Sequence, residues 1–153
     1  MNNKLTVIGA GFAGCEAAWA AAERGVKVEL YEMKPKKFSP AHKYNGFAEL
    51  VCSNSLKASR VNSAAGLLKE EMRRLGSLTV PCAEETAVPA GGALAVDREK
   101  FSDLVTEKVR SHPNITVINE EIEAVPTEGY AVIASGPLTA GKLAQSISEL
   151  CGG

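Results

Sequence analysis

The sequence predicts an α/β fold with a doubly wound parallel sheet. Short apolar runs of strand length alternate with segments of helix length along the 153 residues. A glycine-rich turn joins the first apolar run to the first helix, and the second run is followed by a glutamate. Strands that alternate with helices are joined by crossover connections, which make neighbouring strands parallel. A chain of this length forms one domain, residues 1–153, with a sizeable core.

The first unit, residues 4–32, has the order strand, turn, helix, strand and acid. Gly9 permits the tight turn out of the first strand, Gly11 lets the backbone approach a pyrophosphate, and Gly14 lets the helix pack close to the strands. The N-terminus of the helix offers free N–H groups and a positive dipole end to phosphates. Glu32, 18 residues after Gly14, can accept hydrogen bonds from a ribose. This order predicts a Rossmann-like dinucleotide site whose glycine motif consists of Gly9, Ala10, Gly11, Phe12, Ala13 and Gly14.

The middle of the chain is expected to be less regular. Residues 33–62 lack periodicity, and irregular segments of that length are usually functional or mobile. An amphipathic helix is predicted at 62–75. Pro81 and Pro89 then bracket a second irregular piece. The buried face of the predicted helix is expected to hold Ala65, Leu68, Met72 and Leu75.

The second half alternates between strands and helices again. Asp97 is a good N-cap for a helix at 98–111, which His112 and Pro113 end. A last helix is predicted from Thr139, with an inward face of Leu143, Ile147 and Leu150. Strands are predicted at 92–96, 115–118, 121–125 and 130–134.

A second glycine-bearing turn, residues 134–137, follows the last predicted strand. Gly136 either supplies the positive φ that a strand-to-helix turn needs, or lies beside a cofactor where only a small side chain fits. Because the first motif already predicts a dinucleotide, Gly136 is a candidate cofactor residue.

Composition excludes several kinds of site. The net charge of −1 gives no basic footprint for nucleic acid or for a membrane surface. No apolar stretch approaches the roughly 20 residues of a membrane span, and no signal peptide precedes the first strand, so we expect a cytoplasmic protein. Four widely spaced cysteines and two histidines predict neither a disulfide framework nor a metal site.

Two segments contain reactive or charged side chains. Cys52, among small polar residues in the loop 48–55, could be a nucleophilic thiol, although a lone cysteine is more often a small buried residue. Cys15, in the first turn of the first helix, is expected to be packed in the core. The basic run after Glu32 could contact an anionic substrate, although such a run is usually a solvated loop. It consists of Lys34, Lys36, Lys37, His42 and Lys43.

Four segments in this order are more specific than the glycine motif alone. They are VIGAGFAG at 7–14, AELVCSNS at 48–55, GLLKEEMR at 66–73 and VPAGGALAVDR at 88–98. Together they resemble the folate- and FAD-dependent tRNA (uracil-5-)-methyltransferase family, often called TrmFO or Gid. The first segment is shared with many flavoproteins, whereas the other three are much more specific. The resemblance covers about residues 5–150.

The resemblance implies a cofactor and a reaction. Family members use FAD, reduced by NAD(P)H, to transfer a one-carbon unit from methylenetetrahydrofolate to C5 of a uridine in the T-loop of tRNA. It places Gly9, Gly11, Gly14 and Glu32 at FAD-binding positions, with Gly136 as a weaker match. It also makes Cys52 a candidate catalytic thiol, since a thiolate that adds at C6 of uracil activates C5.

The resemblance also implies that this chain is only a part of such a protein. Family members are considerably longer and have a further tRNA- and folate-binding region. We therefore expect the chain to be the N-terminal, FAD-binding part, and to contact tRNA through regions mostly absent from it.

Other functions stay open at this point. A flavin-dependent oxidoreductase, or another tRNA-modifying flavoprotein, would use the same cofactor scaffold. The chain could also be a nucleotide-binding module with no activity of its own. Within the family, a uridine of ribosomal RNA could replace the tRNA one.

Overall fold

The computed structural model describes residues 4–153. The first half comprises β1 (Lys4–Ile8), α1 (Phe12–Ala22), β2 (Lys27–Tyr31), β3 (Ser55–Ala58), α2 (Ala64–Arg74), α3 (Thr79–Glu85) and β4 (Ala87–Val88). The second half comprises β5 (Ala93–Val96), α4 (Arg98–Ser111), β6 (Ile115–Ile118), β7 (Tyr130–Ile133) and α5 (Gly141–Cys151).

The main sheet has four parallel strands in the order β6-β2-β1-β7. Counted among themselves in chain order, these strands run 3-2-1-4, as they do around the switch point of a Rossmann sheet. The chain therefore passes from β1 to β2 on one side of β1, and returns from β6 to β7 on its other side. Such sheets bind ligands in the crevice at the carboxyl ends of these two strands. The predicted parallel α/β fold is confirmed.

A second, antiparallel sheet, β3-β5-β4, lies in the connection between β2 and β6. The strand predicted at 92–96 is present as β5, but it pairs with β3 and β4 instead of joining the parallel sheet. β3 also corrects the prediction that residues 33–62 are irregular throughout. It pairs with β5 only at Ser55 and Ala58, with an irregular register between them. A four-residue strand of this kind has no alternation for a sequence pattern to reveal.

Two other local predictions are wrong. Pro81 does not mark an irregular piece but lies in the first turn of α3, where a proline's missing N–H leaves no intrahelical bond unmade. Residues 121–125 form no strand. Val125 instead donates its N–H to Ser146 Oγ at 3.0 Å, so this segment bonds to a side chain of α5 rather than to a neighbouring strand.

The predicted helix at 98–111 is confirmed as α4. Asp97 caps it by accepting a hydrogen bond from the Lys100 N–H. The inward side chains of Phe101, Val105 and Val109 are fully buried. Among residues 4–153, no helix is both long enough and apolar enough to cross a membrane.

The apolar face of α2 is not buried as predicted. Leu68 and Leu75 are 56% and 73% exposed, and Gly66 is the buried residue of this helix. A Cβ on Gly66 would lie 1.9 Å from the Arg60 carbonyl oxygen, so the backbone of α2 at Gly66 packs directly against the backbone of Arg60. Leu150 of α5 is likewise 71% exposed, although Leu143 is buried as predicted. Periodicity predicts a helix but does not show what covers its apolar face.

Glu16 joins α1 to the start of α3. Its carboxylate accepts hydrogen bonds from the N–H groups of Leu78 and Thr79 and from the hydroxyl groups of Ser77 and Thr79. A carboxylate at a helix N-terminus satisfies N–H groups that have no partner within the helix. This contact therefore fixes α3 against the first βαβ unit.

Candidate cofactor site

A cavity of about 480 Å³ lies at the carboxyl ends of β1 and β7, within the usual range of ligand cavities. Its walls are the turns after β1 and β7, the start of α5, residues 120–122 after β6, and parts of the segment between β2 and β3. The crevice predicted by the strand order is therefore open. The predicted site residues that line it are Gly9, Ala10, Gly11, Phe12, Ala13, Glu32 and Gly136.

The three glycines of the motif have different physical roles. Gly9 has a φ of +97°, and a Cβ there would lie 2.6 Å from the Ala134 carbonyl oxygen. A Cβ on Gly14 would lie 1.7 Å from the Gly9 carbonyl oxygen. Gly11, by contrast, has an ordinary φ of −73°, and its Cβ would meet no protein atom within 4 Å. A side chain at Gly9 or Gly14 would thus clash with the protein's own backbone, whereas the space beside Gly11 is open.

The N-terminus of α1 is free to receive an anion. The first turn of a helix leaves N–H groups without intrahelical partners, and no side chain caps α1 at Gly11. The two lysines that line the cavity, Lys34 and Lys37, form ion pairs with Glu49 and Glu121. The group best placed to bind a phosphate is therefore the helix N-terminus.

Glu32 lies at the end of β2, as predicted, and is only 7% exposed. Its Oε2 accepts a hydrogen bond from the Ala10 N–H at 2.8 Å, and its Oε1 accepts one from the Lys34 N–H at 3.0 Å. Each carboxylate oxygen has a further lone pair, and Glu32 lines the cavity. The side chain can therefore hold the glycine turn, residues 9–11, and accept a ligand hydroxyl at the same time.

The turn after β7 gives Gly136 the positive φ that a strand-to-helix turn needs, and its role beside a cofactor stays a prediction. Gly136 has a φ of +79°, which a side chain rarely adopts, and it lines the cavity. A Cβ there would meet no protein atom within 4 Å. Thr139 donates its hydroxyl to the Gly136 carbonyl oxygen at 2.6 Å and thereby closes the turn.

Lys34 is not part of a solvated loop, and that interpretation is wrong for this residue. Its side chain is 5% exposed, and its ammonium group donates hydrogen bonds to the carbonyl oxygens of Tyr44 and Gly46. Lys36 and Lys43 of the same basic run are exposed, as expected of a solvated loop. The sequence does not predict the burial of Lys34, because its partners are backbone carbonyl oxygens, which every residue type has.

Cys52 is exposed and does not line the cavity, although the preceding residue, Val51, does. Cys52 is therefore next in sequence to a residue that lines the cavity, but Cys52 is not part of the lining itself. Its role as a catalytic thiol stays a prediction.

Cys15 and Cys82 are buried, as expected for Cys15, and burial raises the pKa of their thiols to about 12 and about 11. These thiols ionise more readily in the unfolded chain, where their pKa is about 9, than in the folded protein. The free energy of unfolding therefore falls as the pH rises from about 9 towards these values. The Cys15 Sγ donates a hydrogen bond to the Ala10 carbonyl oxygen.

We expect Ellman's reagent at pH 8 to modify two thiols in the native protein, those of Cys52 and Cys151. The other two should react only after urea is added, because they are buried and protonated. The measurement is the amount of coloured thiolate released from the reagent per chain, read as absorbance. Cys52→Ser should remove one of the rapidly reacting thiols. Rapid reaction of a third thiol in the native protein would contradict the burial of Cys15 and Cys82.

Comparison with known proteins identifies the family. The family model described as "Glucose inhibited division protein A" matches residues 4–149. The chain belongs to this family. The fold is similar to that of a solved structure, since the crystal structure of Aquifex aeolicus GidA superposes with a TM-score of 0.65 over 82% of this chain and 21% of that one. At 18% identity, this likeness shows the shared fold alone.

Curated relatives are much more similar in sequence. Methylenetetrahydrofolate–tRNA-(uracil-5-)-methyltransferase TrmFO of Acetivibrio thermocellus is 58% identical over 99% of this chain and 35% of the relative. The protein of the same name from Pelobacter propionicus is 61% identical over 99% of this chain and 34% of the relative. The chain thus spans about a third of the length of the curated relatives it matches.

Proposed function

We propose that the chain is the FAD-binding part of a folate-dependent tRNA uridine C5-methyltransferase. The observation that carries the cofactor assignment is the open space beside Gly11, at the uncapped N-terminus of α1. Apart from its preference for the N-cap position, a glycine with ordinary φ and no close protein neighbour has no steric need to lack a side chain. A pyrophosphate that approaches the glycine turn supplies that need.

We assign roles around the cavity on the same basis. The N–H groups at the start of α1 would hold the pyrophosphate, and Glu32 at the end of β2 would bind the adenosine ribose. Glu32 accepts a hydrogen bond from a ribose hydroxyl while it retains its bond to the Ala10 N–H. Gly136 lines the other side of the cavity, where the turn after β7 leaves space for the cofactor.

The reaction is proposed from the relatives at 58% and 61% identity, whose name is that of the methyltransferase. FAD reduced by NAD(P)H supplies the electrons that convert a methylene group from methylenetetrahydrofolate into a methyl group. The residues of this chain bind and orient that cofactor. We keep Cys52 as the candidate thiol that adds to the uridine, a role that would require the substrate to approach it from outside the cavity. With tRNA as the substrate, the reaction is cytoplasmic.

Titration of the purified chain with FAD tests the cofactor assignment. We expect flavin fluorescence to change with added FAD until the site is saturated. Riboflavin should bind about 100-fold more weakly, because it lacks the pyrophosphate and adenosine that the glycine turn and Glu32 hold. Equal binding of the two flavins, or no binding of FAD, would contradict the assignment.

A chimaera tests the reaction. Residues 1–149 of this chain replace the matching part of the Acetivibrio thermocellus relative, and methylation of a tRNA T-loop transcript is measured with methylenetetrahydrofolate. We expect methyl transfer by the chimaera. A folded chimaera that binds FAD and oxidises NAD(P)H without methyl transfer would favour the flavin-dependent oxidoreductase instead.

A binding module without activity of its own is the second candidate for the chain by itself. It is favoured by the absence of any cysteine from the lining of the cavity within residues 4–153. In that case the isolated chain binds FAD but methylates no T-loop transcript, and methyl transfer is seen only in the chimaera.

A further inference from the structure

Lys34 is a buried cation that the proposed cofactor contacts do not use. Its ammonium group donates to the Tyr44 carbonyl oxygen at 3.0 Å and to the Gly46 carbonyl oxygen, and it lies 3.6 Å from Glu49 Oε2. That carboxylate oxygen is buried and has no hydrogen-bond partner among the described residues. A buried charge without a partner is strongly unfavourable, so Lys34 is the counter-charge that Glu49 requires.

The 43–49 segment is a closed loop around this ion pair. The other carboxylate oxygen of Glu49 accepts hydrogen bonds from the N–H groups of Lys43 and Tyr44 at 2.9 and 3.1 Å. Glu49 therefore closes the loop on itself, and Lys34 binds two of its carbonyl oxygens from inside. Lys34 links this segment to the end of β2, and Phe47 links it to α4 through hydrogen bonds with Ser102 and Thr106.

This loop in turn holds the glycine turn. Ala48 donates its N–H to the Ala10 carbonyl oxygen at 2.9 Å, while the Ala10 N–H donates to Glu32. Ala48 has a φ of +47°, a conformation that an alanine adopts only when its surroundings impose it. The Lys34 N–H also donates to the other oxygen of Glu32. The Ala10 N–H is thus linked through Glu32 to the Lys34 backbone, and the Ala10 carbonyl oxygen is linked through Ala48 to the segment that the Lys34 side chain binds.

We propose that Lys34 is a positioning residue for phosphate binding: by fixing the 43–49 segment through Tyr44, Gly46 and Glu49, it sets the position of the Ala10 peptide in the glycine turn. The inference rests on the proposed binding of FAD at this turn. We assign no phosphate contact to the Lys34 ammonium group, because it already donates to the Tyr44 and Gly46 carbonyl oxygens and pairs with Glu49. A small displacement of the turn lowers affinity because the helix N–H groups no longer point at the pyrophosphate.

The test compares Lys34→Met with two matched controls. Lys36→Met removes an exposed lysine of the same run, and Val109→Ala lowers stability from a core position outside the cavity. The FAD dissociation constant is measured well below the unfolding temperature of every variant. We expect Lys34→Met to weaken FAD binding at least about fivefold and both controls to change it less than about twofold. A purely structural role would give Lys34→Met the same affinity as Val109→Ala.

A second variant keeps the test decisive if Lys34→Met does not fold. Lys34→Met combined with Glu49→Gln leaves no unpaired charge in the interior, so the double variant should be more stable than Lys34→Met alone. It still lacks the bonds to Tyr44 and Gly46, and we expect its FAD affinity to stay at least about threefold below that of the wild type. Wild-type affinity in the folded double variant would overturn the proposal.

A readout without FAD separates this inference from the proposed function. Chymotrypsin cleavage after Tyr44 reports whether the 43–49 segment is held. We expect cleavage to be faster in Lys34→Met than in Lys36→Met and Val109→Ala by about fivefold or more, because local opening controls the rate. If the wild type binds no FAD, the proposed function fails while this result still decides whether Lys34 holds the segment. Equal cleavage rates would overturn the inference even if FAD binds.

Discussion

Gly14→Ala is expected to destabilise the fold by about 3 kcal/mol or more, the largest stability effect that we predict. The new methyl group would lie 1.7 Å from the Gly9 carbonyl oxygen, which is backbone and cannot rotate away. α1 would have to move off β1, and the contacts of its buried residues would be lost. Urea unfolding followed by circular dichroism measures the change in the free energy of unfolding.

Gly25→Ala is the control for the general effect of losing a glycine. Gly25 has a φ of +80° but no protein atom within 4 Å of the Cβ position. It should therefore show only the backbone strain of about 1 kcal/mol. If Gly14→Ala were no more destabilising than Gly25→Ala, the close approach of α1 to the glycine turn would be refuted.

Glu32→Leu is expected to reduce both stability and FAD binding. It leaves the N–H groups of Ala10 and Lys34 without acceptors in a buried site, with an expected loss of about 2–4 kcal/mol of unfolding free energy. It also removes the proposed acceptor for the ribose and releases the glycine turn. We expect the FAD dissociation constant to rise by about 100-fold. It is measured by flavin fluorescence without urea, at a low temperature at which the variant is folded.

Glu32→Gln separates the two roles of this side chain. Its amide oxygen can still accept from one backbone N–H, so stability should fall by less than in Glu32→Leu. Wild-type unfolding behaviour in Glu32→Leu would show that the two hydrogen bonds to Ala10 and Lys34 contribute nothing, and would contradict the structural role assigned to Glu32.

The sequence predicts the parts of this site that depend on local backbone geometry. Gly9, Gly11 and Gly14 lie within six residues of one another, so their spacing alone specifies a strand, a tight turn and a helix. Glu32 follows from the second strand of the same unit. The pairing of β7 with β1 brings Gly136 to the same crevice, and this pairing comes from the structure and not from the sequence pattern.

The sequence does not predict contacts whose partners are distant or are backbone atoms. Glu16 caps α3 from more than 60 residues away, and Lys34 binds two carbonyl oxygens in a loop without a periodic pattern. The exposure of Leu68 and Leu75 was missed for a related reason, since an apolar stripe indicates a helix but not its neighbour. Cys52 shows the same limit, because its motif does not specify whether the thiol faces the cavity.

The central claim is that the space beside Gly11 is reserved for a pyrophosphate, and Gly11→Ala tests it most directly. An alanine fits this position in the free protein, and the loss of a favourable N-cap is offset by the lower entropy of the unfolded chain, so stability should change by less than about 0.5 kcal/mol. The FAD dissociation constant should nevertheless rise by about tenfold or more, because the methyl group occupies the space of the phosphates. The same FAD affinity in Gly11→Ala and wild type would contradict the account.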